Sequence, residues 1–236
     1  MKIGGLQKVS LLDFPDRIAA IVFVKGCNFR CPFCFNRDLV FNNLPTISQR
    51  TVLSFLARRQ KILDGVVITG GEPLLQLDLA DFIRKIRRLD FAIKLDTNGS
   101  QPKSLETLLK RKFLDYVALD IKAPLDTRYA KAVGLSKYHP QPVINSVNLL
   151  LESKIPFEFR TTVVPGLHNQ TSLQVMAQQL KRFVKRRQIP WLWQNFQPKS
   201  CLDQKFEKIK PYSSAKLEKL LVATHSLYSS VALRQI

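Results

Sequence analysis

The amino-acid sequence predicts an α/β fold in which parallel strands form a partial barrel of six strand–helix units or an open sheet, with helices outside. Short runs rich in β-branched and aromatic residues alternate with amphipathic stretches from residue 18 onward. Most of these runs are nearly continuously apolar, which suits parallel strands that are covered on both faces. Right-handed crossovers place helices outside such a sheet, and six units are too few for a complete eight-fold barrel.

Six strands and six helices follow from this pattern. The first helix begins near Ser48 and places Val52, Leu53 and Leu56 near helical spacing. The predicted strands are residues 19–24, 66–69, 92–96, 116–121, 157–164 and 191–196. The predicted helices are residues 48–61, 79–89, 105–109, 144–151, 172–184 and 214–228.

We expect a single domain, because no linker-like or low-complexity tract divides the chain. Residues 1–17 are predicted to be an N-terminal extension that packs on the barrel, residues 18–200 the core, and residues 201–236 a C-terminal helix region. Glycine is scarce, and six of the nine glycines lie at or near predicted strand ends: Gly26, Gly65, Gly70, Gly71, Gly99 and Gly166. Since the carboxyl ends of parallel strands carry the ligand sites of such folds, we expect one site along one rim.

Composition excludes several classes of protein. With 45% hydrophobic residues the chain does not have the composition of a disordered protein. Its longest apolar run, residues 18–24, is far shorter than the roughly 20 residues that span a bilayer, so we expect no membrane segment. The first residues do not resemble a signal peptide, and a cytoplasmic location is therefore expected.

The net charge of +19 first suggests a nucleic-acid partner. However, the basic runs fall on or beside predicted helices, at residues 84–88, 110–112 and 181–187, and aromatic side chains are not interleaved with them in the way that proteins binding single strands use. These positions are typical of solvated outer helix faces. The charge therefore favours an acidic protein partner or electron donor over a nucleic acid.

Three of the four cysteines, Cys27, Cys31 and Cys34, fall within eight residues directly after the first predicted strand. Structural zinc sites use four ligands, so a zinc site would need Cys201 or His168 to complete it. Thiolates are also the usual ligands of iron–sulfur clusters, and three of them would leave one iron of a four-iron cluster open. The spacing alone leaves both alternatives open.

Together with Phe33, the aromatic residue before the third cysteine, this triplet resembles the signature of radical S-adenosylmethionine (SAM) enzymes. The resemblance implies a 4Fe-4S cluster held by Cys27, Cys31 and Cys34, whose open iron chelates the amino and carboxylate groups of SAM. It also implies a partial (β/α)6 barrel of the radical SAM type.

Four further motifs follow in the order that this family shows. Residues 69–73 end the second predicted strand, and the resemblance implies that Gly70, Gly71, Glu72 and Pro73 meet the SAM amino group. Later strand ends carry further residues that it places near SAM: Asp96, Thr97, Asn98, Asp120, Lys122 and Arg160. Lys122 suits a carboxylate partner, and Asp96 and Asp120 are hard oxygen ligands that suit a monovalent cation.

Within this family the sequence resembles the glycyl-radical-enzyme activases, above all the anaerobic ribonucleoside-triphosphate reductase activating proteins. Residues 4–8, 11–15, 160–166 and 194–198 extend the resemblance over nearly the whole chain. It implies a glycyl radical enzyme as partner and a flavodoxin- or ferredoxin-type electron donor.

Two residues depart from that pattern. Phe35 stands where many activases have a histidine, and Cys201 matches no cysteine that the family requires. A buried free cysteine behaves as a small hydrophobe, which is the simplest interpretation of Cys201. Two alternative functions stay open: a radical SAM enzyme that acts on a small molecule or an RNA base, and a non-catalytic metal-binding protein.

Overall fold

In a computed structural model, which describes residues 1–234, the chain forms one mostly parallel sheet whose strands follow the order of the sequence. Strand β1 pairs antiparallel with β2, and each later strand pairs parallel with the strand before it. The eight strands of these residues are β1 (Ile3–Ser10), β2 (Ala19–Val24), β3 (Gly65–Gly70), β4 (Ala92–Thr97), β5 (Tyr116–Asp120), β6 (Phe157–Val163), β7 (Trp191–Asn195) and β8 (Val231–Leu233).

Helices cross between the parallel strands, as expected for this class of fold. Their bounds are α1 (Arg37–Val40), α2 (Gln49–Ala57), α3 (Leu79–Arg87), α4 (Pro102–Lys110), α5 (Arg128–Val133), α6 (Gln141–Glu152), α7 (Gln170–Val184), α8 (Gln204–Glu207) and α9 (Ser214–His225). Side-chain caps fix where several begin: Ser48 accepts from the Thr51 N–H at α2, and Asn169 and Ser172 form a capping box at α7.

The structure confirms the predicted α/β class, and the six predicted strands agree with β2 to β7 to within one residue at each end. The edge strands β1 and β8 were not predicted, because β1 is half exposed and contains two glycines and β8 has only three residues. Within residues 1–234 no pairing joins β1 to β8, so the barrel is partial.

The N-terminal segment between β1 and β2 closes one end of the barrel. Phe14 is buried against Gly65 and lies 6.3 Å from the ring of Tyr116, at the amino ends of β3 and β5. Beside it, Asp13 forms an ion pair with Arg234, which follows β8. Asp13 and Arg234 also line the cavity described below, together with residues at the carboxyl ends of the strands.

The inner and outer faces of the sheet differ in chemistry. The outer face packs against the helices in one large apolar cluster that includes Ile68, Leu95 and Trp193. The inner face of β4 and β6 instead carries alternating charged residues: Lys94 and Asp96, and Glu158 and Arg160, all buried. No helix in residues 1–234 is long and apolar enough to cross a membrane.

Candidate active site

A cavity of about 450 Å³ lies at the carboxyl ends of the strands. Twelve of the residues singled out in the sequence line it: Cys27, Cys31, Phe33, Cys34, Gly70, Gly71, Asp96, Thr97, Asn98, Asp120, Lys122 and Arg160. Glu72 and Pro73 are buried and do not line it. A volume of this size is typical of sites for small-molecule cofactors.

The three cysteines lie on the loop between β2 and α1, which backbone hydrogen bonds fix on two sides. The Gly26 N–H donates to Leu39 O at 2.7 Å, and the Arg30 N–H donates to Val133 O at 2.8 Å. Burial raises the pKa of Cys27 to about 11 and that of Cys31 to about 12. Without a metal these thiols hold their protons at neutral pH, so metal binding releases protons.

Two N–H groups point at the sulfur atom of Cys27. The backbone N–H of Phe29 donates to Sγ at 3.4 Å, and the side-chain Nδ2 of Asn98 donates at 3.8 Å. Phe35 lines the cavity and has 61% of its surface exposed. Many of the activases that the sequence resembles have a histidine at this position. The cavity mouth is therefore partly apolar at that position.

Five charged side chains form a continuous network along the inner face of the sheet. Arg160 is its centre, with Nη1 2.9 Å from Asp96 Oδ2 and Nε 3.1 Å from Asp120 Oδ1. Asp96 also accepts from Lys94 Nζ at 2.5 Å, and Asp120 also accepts from Lys122 Nζ at 2.8 Å. Arg160 therefore has two carboxylate partners within the protein.

The network fixes the charge of its members. Burial alone would raise the pKa of Asp96, but Arg160 and Lys94 lower it to about 2. Burial alone would lower the pKa of Lys122, but Asp120 raises it above its ordinary value. Lys122 thus presents a permanent positive charge to the cavity that all three cysteines also line. Because Asp96 and Asp120 already pair with side-chain cations, a monovalent cation between them stays a prediction.

His168 supports Lys122 from behind. The His168 ring is fully buried, its Nδ1 accepts from the Val164 N–H at 3.0 Å, and its Nε2 lies 3.1 Å from the carbonyl oxygen of Lys122. Because Nδ1 accepts, Nε2 must carry the proton and donate. Burial lowers the pKa of His168 to about 4. This neutral histidine joins the segments that follow β5 and β6.

Gly70, the last residue of β3, and Gly71 directly after it lie very close to the backbone of the segment that leads from β2 into the cysteine loop. A Cβ on Gly70 would lie 2.5 Å from backbone atoms of Val24, and one on Gly71 would lie 2.0 Å from Gly26 O. The close approach that requires glycine is thus to the chain's own cysteine loop, although both residues also line the cavity.

Glu72 connects two strand ends behind the cavity. Its carboxylate accepts from Leu74 N at 3.0 Å, Thr97 Oγ1 at 2.7 Å and Asn98 N at 2.7 Å. Burial raises the pKa of Glu72 to about 7. Its contact with SAM, which the resemblance implies, stays a prediction, while the structure shows that Glu72 orients Thr97 and Asn98.

The residues present suit an iron–sulfur cluster better than zinc. Both candidates for a fourth zinc ligand are engaged elsewhere: His168 as described, and Cys201 buried beside Phe33 O at 4.0 Å. Within residues 1–234 no group of three or more His, Cys, Asp or Glu side chains could hold a metal ion. The thiolates of a cluster bind different iron atoms, so they need not converge on one point.

Sequence reasoning missed several residues that shape the site. Lys94 could have been found, because it lies two positions before Asp96 in a strand and so shares its face. Asn28, which accepts from Asn98 Nδ2 at 3.1 Å, gave no signal beyond its position in the cysteine loop.

Comparison with known proteins decides the family. Residues 21–177 match the model of the Radical SAM superfamily, which is more than half of the chain. The chain belongs to the radical SAM superfamily. Enzymes of this superfamily use a 4Fe-4S cluster and SAM, so the chain is a radical SAM enzyme and its cofactors are those that the sequence predicted.

Two curated relatives are activases by name. A protein of Methanocaldococcus jannaschii with the provisional name glycyl-radical enzyme activating enzyme is 28% identical over 99% of this chain and 96% of its own length. The pyruvate formate-lyase-activating enzyme of Listeria monocytogenes is 27% identical over 70% of this chain and 69% of its own length.

Solved structures share the fold of this chain. Streptococcus suis SuiB bound to the precursor peptide SuiA superposes with a TM-score of 0.70 and 17% identity over 91% of this chain. This chain spans only 48% of that SuiB chain. SuiB bound to S-adenosylmethionine gives a TM-score of 0.68 at 17% identity, over 91% of this chain and 52% of its own. At these identities the likeness shows the fold alone.

Proposed function

We propose that this radical SAM enzyme holds its cluster through Cys27, Cys31 and Cys34 and installs a glycyl radical on an anaerobic ribonucleoside-triphosphate reductase in the cytoplasm. A flavodoxin- or ferredoxin-type protein would supply the electron. The observation that carries the proposal is the arrangement of the cavity, in which the three thiols and the ammonium of Lys122 line one space.

Held by Cys27, Cys31 and Cys34, a 4Fe-4S cluster would supply the electron for the reductive cleavage of SAM to methionine and a 5′-deoxyadenosyl radical, which would remove hydrogen from a glycine. The protein's own side chains bind and orient SAM. Lys122 offers the SAM carboxylate a permanent cation, and Arg160 holds Asp96 and Asp120 in fixed positions. The partly enclosed cavity limits the access of water to a reactive radical.

A protein substrate is favoured by the extent of the similarity. The match to the Methanocaldococcus jannaschii relative runs through almost the whole of both chains. The match to a GTP 3′,8-cyclase of Helicobacter pylori is less complete and covers 84% of this chain and 63% of the cyclase. The activase proposal thus uses more of both chains than the small-molecule alternative does.

Anaerobic reconstitution, a SAM-cleavage assay and electron paramagnetic resonance (EPR) test the proposal. We expect the reconstituted enzyme to form 5′-deoxyadenosine under strong reductant and to generate a glycyl radical signal in a co-incubated reductase. A fully loaded enzyme that forms no 5′-deoxyadenosine would refute the activity. Formation of 5′-deoxyadenosine without any radical in the reductase would refute the target and favour a small molecule or an RNA base.

Cys27→Ala and Cys201→Ala form the matched pair of variants for the ligand assignment. Both remove one thiol near the same loop, but only Cys27 lines the cavity. We expect Cys27→Ala to lose the cluster, while Cys201→Ala keeps it. Equal iron and sulfide contents in the two variants would contradict the assignment.

A further inference from the structure

Asn98 is the one side chain among residues 1–234 that donates a hydrogen bond to a cysteine sulfur of the triplet. Its Nδ2 lies 3.8 Å from Cys27 Sγ, within the longer range that the larger sulfur atom allows. Asn98 is buried, with 5% of its surface exposed, so water does not compete strongly for this donor. The Nδ2–H group of Asn98 therefore contacts the sulfur atom through which Cys27 would bind iron.

A closed ring of three residues fixes which way the Asn98 amide faces. Asn98 Oδ1 accepts from the Ser100 N–H at 2.9 Å, Ser100 Oγ accepts from Asn28 Nδ2 at 2.8 Å, and Asn28 Oδ1 accepts from Asn98 Nδ2 at 3.1 Å. A flipped amide would turn Nδ2 toward the Ser100 N–H, donor against donor. The ring therefore requires Nδ2, not Oδ1, to face the sulfur.

The backbone of Asn98 is held as firmly as its side chain. Its N–H donates to Glu72 Oε2 at 2.7 Å, and Glu72 itself is fully buried. The side-chain Nδ2 carries two hydrogens, and its two acceptors are Asn28 Oδ1 and Cys27 Sγ. Both hydrogens of the Asn98 amide are thus engaged within the protein, which suits a fixed donor better than an adaptable contact to SAM.

We propose that Asn98 is a positioning and tuning residue that raises the reduction potential of the cluster through its hydrogen bond to Cys27. This inference rests on the proposed cluster ligation by Cys27 and goes beyond it. A reduced cluster carries one more negative charge than an oxidised one. An N–H donor to a ligating sulfur stabilises that charge and makes reduction easier.

The test is a redox titration of the reconstituted holoenzyme, followed by EPR. Asn98→Leu keeps the side-chain volume and removes the donor, and we expect the midpoint potential to fall. A tenfold change in the reduction equilibrium corresponds to about 59 mV for a one-electron couple. Cys201→Ala is the control, because it removes a side chain beside Phe33 in the same loop but no donor to Cys27 and no member of the ring. We expect it to retain the wild-type midpoint.

Cluster loading separates the possible failures. A wild-type protein that binds no iron and sulfide would refute the proposed function. A fully loaded Asn98→Leu with the wild-type midpoint would overturn only the tuning role. Asn98→Asp is a second variant, because it keeps the acceptor for Ser100 and replaces only the Nδ2 donor with an oxygen. We expect its midpoint to fall further than that of Asn98→Leu.

A measurement on the wild-type holoenzyme covers the case in which both variants fail to load. Asparagine labelled with 15N only in its side chain is incorporated, and the reduced cluster is examined by pulsed EPR. We expect a 15N hyperfine coupling from one side-chain amide. Absence of such a coupling would overturn the proposal.

Discussion

At the end of β3, Gly71 lies so close to the cysteine loop that a methyl group on its Cα would be 2.0 Å from the carbonyl oxygen of Gly26. The obstacle is backbone, which cannot rotate away. We expect Gly71→Ala to destabilise the protein by about 3 kcal/mol, the upper end of overpacking costs, and to reduce cluster loading. Urea unfolding and iron content measure the two effects.

Gly5→Ala is the matched control for this substitution. A Cβ on Gly5 would first meet the side chain of Phe23 at 3.4 Å, which is an ordinary contact distance. We expect this variant to unfold near the wild-type midpoint and to load a full cluster. A Gly71→Ala protein as stable as Gly5→Ala would show that the loop can move away.

His168 predicts a pH dependence of stability. Its pKa is about 4 in the folded protein, below the ordinary value of 6.5, because burial disfavours the charged ring. The unfolded chain therefore binds a proton before the folded chain does, and the stabilisation present above pH 6.5 is lost as the pH falls toward 4. At about 1.4 kcal/mol for each pH unit, the loss approaches about 3 kcal/mol.

His168→Phe isolates this contribution, and the free energy of unfolding at pH 7 and pH 4.5 measures it. Glu72, whose pKa is raised to about 7 by burial, acts in the opposite direction over the same range, so a single protein shows only the sum. The difference between wild type and variant should shrink as the pH falls. A difference that is constant with pH would contradict the neutral histidine. His225→Phe, at an exposed position of α9, serves as control.

Among the elements, those with strong local patterns were predictable and those with weak ones were not. Strands β2 to β7 could be predicted, because near-continuous apolar runs are typical of parallel strands that are covered on both faces. Strand β8 has only three residues and β1 is half exposed, so neither has a distinct sequence pattern. Each forms by pairing with the neighbouring strand. Helix ends were misplaced by up to four residues, as at α2, which stops at Ala57.

The site divides in the same way. The cysteine triplet and the strand-end residues that line the cavity could be predicted, since their spacing and position are properties of the chain. The partners of Arg160 and the ring through Asn28, Asn98 and Ser100 could not. These contacts join residues up to 72 positions apart, and nothing in a local pattern specifies such a pairing.

The segment after β7 supports the cysteine loop through its backbone. The Leu202 N–H donates to Cys34 O and the Asp203 N–H donates to Pro32 O, each at 3.0 Å. The Cys201 side chain fills a buried space beside Phe33. Because the backbone makes these contacts, we expect Cys201→Ala to keep full iron and sulfide while its free energy of unfolding, measured with urea, falls modestly, by about 1 kcal/mol. Loss of iron in this variant would revive Cys201 as a ligand.

At the scale of the whole molecule, the excess of basic residues and the site are spatially separate. The runs at residues 84–88, 110–112 and 181–187 are largely exposed on or beside α3, α4 and α7, and none of their residues lines the cavity. Charges on the outer surface affect the rate at which the protein meets a partner, and not the reaction inside the cavity. The inner face carries a separate network of charged side chains, formed by Lys94, Asp96, Asp120, Lys122 and Arg160.

The two edges of the partial barrel meet through one partly buried ion pair among residues 1–234. Arg234, after β8, donates to Asp13 Oδ1 at 2.8 Å and to Leu12 O at 3.3 Å, and both partners lie between β1 and β2. Arg234 and Asp13 are 14% and 30% exposed, so solvent screens this pair only in part. A double-mutant cycle with Asp13→Asn and Arg234→Met should therefore give a coupling of about 1 kcal/mol, measured by urea unfolding.

The pair Asp81 and Arg84 on α3 is the control for this cycle. It has a similar contact distance of 2.9 Å, but its side chains are 61% and 53% exposed, and it links residues of one helix. We expect its coupling to stay near zero at 0.15 M salt, because water and salt screen exposed charges. Equal couplings in the two cycles would mean that Arg234 and Asp13 contribute no more than a surface pair, and that the barrel edges hold their positions without them.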